Sequence, residues 1–354
     1  MKTYKHLFEN IVAFDNLLLA AKKAQKGKRF KTGTARFNIN LEREILQIRR
    51  ELIDGTYIPG AYTEFFIYEP KKRMISAAPY RDRVVHHALC NVIEPIFDRR
   101  FIFDLYSNRK GKGTHRAVLR YQNFARKNKY VLKCDIRKFF PSIDHEILKE
   151  EIRRKIADTD ALRLIDTIID HSNEQETVIE YYPGDDLFTP HQRKRGLPMG
   201  NLTSQFFANI YLNRFDHFIK ESLRCGSYLR YVDDWCCFDD SKDYLWEIMA
   251  EAVRFMESFR LRIHDEKPVV FPVTEGLAFL GHRVFPGYRL LKKDNIHRFR
   301  RKMKGWQRDY SSGRMEWEDI RNRVQSWNAH ALFSDTYRLR QKLFSEFAFS
   351  RGTA

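Results

Sequence analysis

Residues 227–238 read SYLRYVDDWCCF, with Tyr231-Val232-Asp233-Asp234 at the centre of an apolar frame. Two short apolar runs on either side of a polar pair predict a β-hairpin that presents both acids at its tip. Adjacent carboxylates repel each other, and a divalent metal is the natural counter-charge. Hard oxygen ligands suit Mg²⁺, and a pair of such ions suits phosphoryl transfer. Taken alone, an Asp-Asp turn is more often a solvated loop, so its meaning depends on what surrounds it.

The 354 residues are 43% hydrophobic and 14% aromatic, enough for a large core in two or three lobes. Lys and Arg number 64 against 46 Asp and Glu, a formal charge of +18. Such an excess points to a polyanionic partner, with nucleic acid foremost. No run approaches the roughly 18 apolar residues that a bilayer crossing needs. The start MKTYKHLFENIVAF contains the acid Glu9 and no small-residue cleavage site, so a cytoplasmic protein without a membrane association is expected. Cys90, Cys134, Cys225, Cys236 and Cys237 form no C-x-x-C pair, which argues against structural zinc and for buried, reduced thiols.

Leu7, Ile11, Phe14, Leu18 and Ala21 fall on one face and predict an N-terminal helix. Between Lys22 and Arg36 lie seven cations and no acid, a segment that reads either as a solvated connection or as a backbone-binding loop. LEREILQIRREL predicts a second helix. TYIPGAYTEFFIYEP and MISAAPY predict a hairpin with the basic tip Lys71-Lys72-Arg73. RDRVVHHALCNVIEPIF is helical by spacing, with Pro95 ending or kinking it and His86 and His87 assigned no chemistry. In SNRKGKGTHRAV, glycines among cations ahead of a helix make a weak phosphate-loop pattern.

KYVLKCDIRKFFPSIDH alternates cleanly, with Leu132, Cys134 and Ile136 on one face and Val131, Lys133 and Asp135 on the other. It predicts a strand ending at an acid, then a break through Phe139, Phe140, Pro141 and Ser142 and a helix from about Ile143. GLPMGNLTSQFFANIYLNRFD predicts a glycine-rich turn from Gly196 to Gly200 and a helix capped near Asn201 to Ser204. Phe207, Tyr211, Phe215 and Phe218 are its expected buried stripe. From Lys292 to Lys304 there are seven cations and one acid, followed by helical segments with Trp306, Trp317, Trp327 and Phe333.

Three features therefore occur in order: strand-end Asp135, a glycine-rich turn opening a helix, and the Asp233-Asp234 tip. DIRKFF, GNLTS and YVDD resemble the D-x-x-x-x-[FY], G-x-x-x-S and Y-x-D-D motifs of reverse transcriptases. The likeness covers roughly residues 60–290, from EPKKRMISAAPYRDRVVHH to HDEKPVVFPVTEGLAFLGHRVF. Met199-Gly200-Asn201-Leu202-Thr203-Ser204-Gln205 is similar to the lineage found in diversity-generating retroelements. Most retroviral and intron-type enzymes have Gln before this glycine and Pro after the serine. Met199 itself departs from that lineage's usual Ile, Val or Leu.

The resemblance implies an α+β right-hand polymerase: N-terminal helices and fingers over 1–125, a palm over 126–288 with an antiparallel sheet backed by helices and a fingers-side insertion at about 151–195, and a helical thumb over 289–354. It implies two Mg²⁺ ions, with Mn²⁺ as substitute, held by Asp135, Asp233, Asp234 and the Ile136 carbonyl. Lys71 and Arg73 are to meet the incoming deoxynucleoside triphosphate, in an order left open. Phe140 is to act as the gate against a ribose 2′-hydroxyl, or else only to pack beneath the site. Met199, Gly200 and Gln205 are to flank the nascent base pair, with Met199 lowering fidelity opposite template adenines or merely packing. Lys267 is to protonate pyrophosphate, and Leu280-Gly281 to grip the primer.

The implied partners are template RNA, the RNA/cDNA duplex and an oligomeric accessory variability protein, in a process of mutagenic retrohoming. No nuclease domain is expected after the thumb. Two rival readings stay open: a reverse transcriptase of an intron or antiphage system, and a catalytically silent RNA-binding protein of polymerase shape.

Overall fold

The computed structural model describes residues 3–69, 71–173, 175–264 and 268–351. It opens with α1 (Phe8–Val12) and α2 (Phe14–Ala24), where a single helix was expected. Ala13 is extended, at φ −57° and ψ 135°. The amide of Asn16 donates to the Ile11 carbonyl and to the Ala88 carbonyl, which satisfies an acceptor left over by the interruption. Beyond the break the buried stripe is Leu17, Ala20, Ala21 and Ala24, with Phe14 and Leu18 half-buried beside it. The basic segment is partly helical, as α3 (Thr32–Ile39), and α4 (Leu41–Ile53) follows as expected.

The expected hairpin is β1 (Thr63–Ile67) against β2 (Arg73–Ala77), antiparallel, with Ile67 opposite Arg73. Next, α5 (Tyr80–Asp98) runs through Pro95 and continues to Asp98. Proline removes one backbone donor, and within the last turn the loss is local. α6 (Thr114–Lys127) leads to β3 (Tyr130–Cys134), which stops one residue short of Asp135.

The segment Phe139–Ser142 was expected to be a plain break but forms the helical turn α7. Its proline sits where no intrahelical donor is needed. The following helix, α8 (His145–Arg153), starts two residues later than expected, because the Asp144 carboxylate accepts from the Glu146 and Ile147 amides. Then come α9 (Thr159–Asp170), α10 (Thr189–Gln192), α11 (Leu202–Tyr211) and α12 (Asn213–His217), the last continued by one π-type turn to Ser222.

The decisive stretch folds as read: β4 (Tyr228–Tyr231) and β5 (Asp234–Asp239) form a tight antiparallel hairpin. α13 (Lys242–Ser258), β6 (Val269–Pro272), β7 (Leu277–Phe279), β8 (His282–Val284) and β9 (Arg289–Leu291) follow. α14 (Lys293–Ser311), α15 (Trp317–Ala331) and α16 (Tyr337–Ser345) complete the chain.

A four-stranded antiparallel sheet in the order β4-β5-β3-β6 carries the acids. Leu132, Cys134, Tyr228, Trp235 and Cys237 face the large core shared with α11 and α13, while Val131, Leu229, Cys236 and Phe238 face a second core under α6. Burial of both faces explains why WCCF is continuously apolar where a one-sided strand would alternate. All five cysteines are free and buried, in line with expectation. The C-terminal helices close around Phe299, Met303 and Leu343, with Phe299 stacked on Trp327 at 3.9 Å between ring centroids. Among the described residues no helix is long and apolar enough to cross a membrane.

Candidate active site

Register brings the acids together. Cys134 pairs with Trp235 and Tyr231 with Asp234, so Asp135 continues β3 directly opposite Asp234 at the hairpin tip. Past the strand, the Asp135 carbonyl accepts from the His264 amide at 2.9 Å and the Arg137 amide donates to the Arg262 carbonyl at 2.8 Å. Those bonds flank the Ile136–Ile263 bridge, which turns the carbonyl of Ile136 toward the hairpin side of the strand. The predicted backbone ligand thus faces the predicted carboxylates.

Burial, then Asp234, then Asp135 push the Asp233 carboxyl up to about 6, and Arg73 opposes them. An acid raised by two neighbouring acids is the electrostatic signature of a site short of positive charge. Lys133, on the same face of β3, supplies part of it, with its Nζ 3.3 Å from Asp234 and donating to the Ala278 carbonyl at 3.2 Å. Among the described residues no group of three His, Cys, Asp or Glu side chains forms a ready-made metal cage. The donor set nevertheless fits Mg²⁺, which favours one or two carboxylates plus substrate phosphate oxygens over an all-protein cage.

Of the two predicted hairpin cations, Arg73 begins β2 and its charge favours the ionised Asp233 carboxyl, while Lys71 lies in the connecting turn; both are exposed. β2 is tied to the glycine-rich turn. The Ser76 amide donates to the Met199 carbonyl at 3.0 Å, the Asn201 amide to the Ser76 carbonyl at 2.9 Å, and the Ala78 amide to Asn201 Oδ1 at 3.2 Å. Asn201 stands at the start of α11 without capping it, since its side chain is spent on β2. Gly200 has φ +109°, and a Cβ there would lie 2.8 Å from Ile75, so the turn approaches the hairpin as only glycine permits.

The opposite side of this turn is bonded to the segment after Asp135. The Leu197 amide donates to the Phe140 carbonyl at 2.9 Å and the Gly196 amide to the Ile143 carbonyl at 2.8 Å. Phe140 is half-buried against the main core beside buried Phe139, their centroids 5.6 Å apart. Met199 is half-buried, with its amide donating to Gln175 Oε1 at 3.4 Å, and Gln205 is half-buried in the first turns of α11. Leu280 and Gly281 form the two-residue turn between β7 and β8, with φ 47° and 88° as a type I′ loop demands. The Lys292 amide donates to the Gly281 carbonyl, which joins this turn to the start of α14. Lys267 lies outside the described residues.

The glycine-cation loop at 107–116 does not serve as a phosphate cradle. Arg109 pairs with Asp98 and donates to three carbonyls, Lys112 sits 3.5 Å over the Phe103 ring, and Arg116 donates to the Gly111 carbonyl. What the pattern concealed is Ser107, whose hydroxyl accepts from the Val232 amide at the hairpin tip. Arg230, Asp216 and Asn209 were likewise unread. Their signal was available, because a cation inside an apolar strand and polar residues inside an apolar helix require buried partners.

A family model described as reverse transcriptase (RNA-dependent DNA polymerase) matches residues 68–284. Protein YkfC of Escherichia coli (strain K12) is 25% identical over 281 residues, 68% of this chain and 71% of that protein. The group II intron-encoded protein LtrA of Lactococcus lactis subsp. cremoris is 25% identical over 183 residues, covering 51% of this chain and 29% of LtrA. The putative COX1/OXI3 intron 1 protein of Saccharomyces cerevisiae is 23% identical over 197 residues, or 55% and 22% of the two chains. The matched region spans most of the bacterial protein but under a third of either intron protein.

Proposed function

The chain belongs to the reverse transcriptase (RNA-dependent DNA polymerase) family, and from that premise we propose that it copies a template RNA into cDNA within a diversity-generating retroelement, with errors concentrated at template adenines. It is an RNA-directed DNA polymerase by family. The observation that carries the mechanism is the convergence of Asp135, Asp233 and Asp234 beside a glycine-rich turn hydrogen-bonded to β2. In this reading residues 1–125 supply N-terminal helices and fingers, 126–288 the palm with its insertion at about 151–195, and 289–354 the thumb.

Asp135, Asp233, Asp234 and the Ile136 carbonyl are the groups that hold Mg²⁺, or Mn²⁺ in its place. Bound metal supplies charge stabilisation for the attacking 3′ oxygen and the departing pyrophosphate. Arg73 neutralises the triphosphate of the incoming deoxynucleotide and Lys71 assists from the tip. Phe140 crowds the position of a 2′-hydroxyl. Leu280-Gly281 presents main chain to the primer end, Lys267 is the proton donor to pyrophosphate, and cations of α14 track the duplex backbone.

The retroelement assignment rests on Met199-Gly200 and Ser204-Gln205. A thioether at Met199 offers the nascent pair no hydrogen bond with which to reject a misfit. An oligomeric accessory variability protein is the partner this assignment implies. Similarity to LtrA and to the yeast intron protein favours a second reading, an intron-type enzyme of ordinary fidelity. Primer extension on RNA with Mg²⁺ tests both at once. Wild type is expected to extend where Asp233→Ala does not, with misincorporation opposite adenine that Met199→Gln suppresses; an adenine error spectrum unmoved by Met199→Gln rejects the role given to Met199, and ordinary fidelity opposite adenine in the wild type rejects the retroelement reading.

A further inference from the structure

Val232 is a β-branched residue held at φ 57°, a left-handed conformation that such side chains avoid. Strain of this kind persists only where surroundings over-determine it. Here both backbone polar groups of Val232 are held. Its amide donates to Ser107 Oγ at 3.0 Å, and its carbonyl accepts from Arg230 Nη1 at 2.9 Å. The next residue is Asp233.

Each holder is itself fixed from a second element. Ser107 Oγ donates to Asn209 Oδ1 at 3.1 Å, and Asn209 Nδ2 donates back to the Ser107 carbonyl at 3.0 Å. Arg230 donates through Nε and Nη2 to the two carboxylate oxygens of Asp216, each at 2.6 Å, and the Tyr228 hydroxyl donates to Asp216 at 2.7 Å. Ser107, Asn209, Asp216 and Arg230 are all essentially inaccessible to solvent. The segment bearing Ser107 lies parallel to β4, with the Arg230 amide donating to the Asp104 carbonyl and the Tyr106 amide to the Arg230 carbonyl, both at 3.0 Å.

A buried ion pair is a poor source of net stability, since desolvating two charges consumes most of the attraction. It does define one geometry sharply, because a bidentate pair tolerates little rotation. Asn209 and Asp216 stand seven residues apart on α11 and α12, the helical run that begins just after Met199-Gly200. We infer that Ser107 and Arg230 are positioning residues for Asp233, holding it through Val232 and tying it through Asn209 and Asp216 to the helix that opens at the nucleotide-side turn. Tip and turn then keep their separation as one body, and the carboxylate meets metal and substrate already in place.

This inference rests on the assignment of Asp233 as a metal-holding acid, and two readouts on the full chain separate the claims. One is kcat and the nucleotide KM in primer extension; the other is Mn²⁺ affinity by electron paramagnetic resonance, with no nucleotide or primer present. Ser107→Ala is expected to lower kcat about tenfold with KM moving less than about twofold, and to weaken Mn²⁺ binding about fivefold. Ser107→Thr, which keeps the hydroxyl, restores most of both. Should Ser107→Ala fail to fold, Tyr228→Phe removes one bond to Asp216 and carries the test with an expected loss of about threefold. Wild-type kcat in these variants, or Mn²⁺ affinity equal to wild type, overturns the inference. A wild type that binds Mn²⁺ more tightly than Ser107→Ala yet extends no primer supports the clamp and rejects the polymerase reading.

Discussion

The β4-β5-β3-β6 sheet is covered on both faces and holds its acids at strand ends next to buried Cys134, Ile136 and Trp235, whereas every residue of β1 is exposed and Arg73 stands on a two-stranded ribbon. An isolated ribbon of that kind is marginal in water. It is secured at its base, where fully buried Ser76 meets Met199 and Asn201 and accepts from Asn173 and Gln175, each at 3.0 Å, and beyond β1 by exposed ion pairs of Glu69 with Lys302 and Arg301 of α14 at 2.7 and 3.5 Å, which hold it weakly. The difference suits the roles proposed for these side chains. A carboxylate that shares a metal needs one fixed position, while a cation that receives and releases a charged substrate needs a support that moves at low cost.

Replacing Asp233 should give the largest effect on this contrast. Asp233→Asn is expected to reduce primer extension at least about a thousandfold while raising the thermal midpoint at neutral pH. Its carboxyl is raised from 3.8 to about 6 by burial and the flanking acids. Below 3.8 both folded and unfolded chains hold the proton and the group costs nothing. As pH rises toward 6 the unfolded chain ionises first, and stability is lost. The gain from Asn should therefore reach up to ~2 kcal/mol at pH 7 and vanish near pH 4, measured by calorimetric melting. A midpoint that rises equally at both values means that Asp233 is not the strained acid.

Next in size is Trp235→Ala, which empties a fully buried site packed on Phe215 at 5.3 Å between centroids. A loss of about 3–5 kcal/mol in denaturant unfolding is expected. The matching change on the ribbon, Phe66→Ala, removes a side chain already 48% exposed and should stay within ~0.5 kcal/mol. Similar losses from both would erase the distinction between rigid and mobile supports.

Smaller again are the ribbon cations. Arg73→Ala is expected to raise the nucleotide KM about tenfold, and Lys71→Ala about twofold, with unfolding midpoints unchanged. Steady-state kinetics with the order reversed would place Lys71, not Arg73, at the triphosphate.

Much of the site was legible because its parts are local. A carboxylate at the end of an alternating run, a glycine before a helix and two acids between apolar runs each declare themselves within a dozen residues, and their order along the chain carried the family resemblance. The β4–β5 and β1–β2 hairpins were legible for the same reason, since periodicity and turn residues encode them, whereas the antiparallel sheet that joins the acids was implied only by the family resemblance. The helix break at Ala13 was not, because Asn16 ends it by bonding Ala88, more than seventy residues away. The role of Ser107 was hidden too. Glycines and cations nearby suggested phosphate, but Asp98 and Phe103 had already engaged two of those cations.

Sequence alone determined the chemistry on offer: which acids, which glycines, which cations, and a charge suited to nucleic acid. Tertiary structure alone decided that Asp135 stands opposite Asp234, that the charge of Arg73 acts on Asp233, and that Arg230 and Ser107 hold the strained tip. Register and burial set those relations, and both arise from pairings between segments far apart in the chain, 125 residues in the case of Ser107 and Val232.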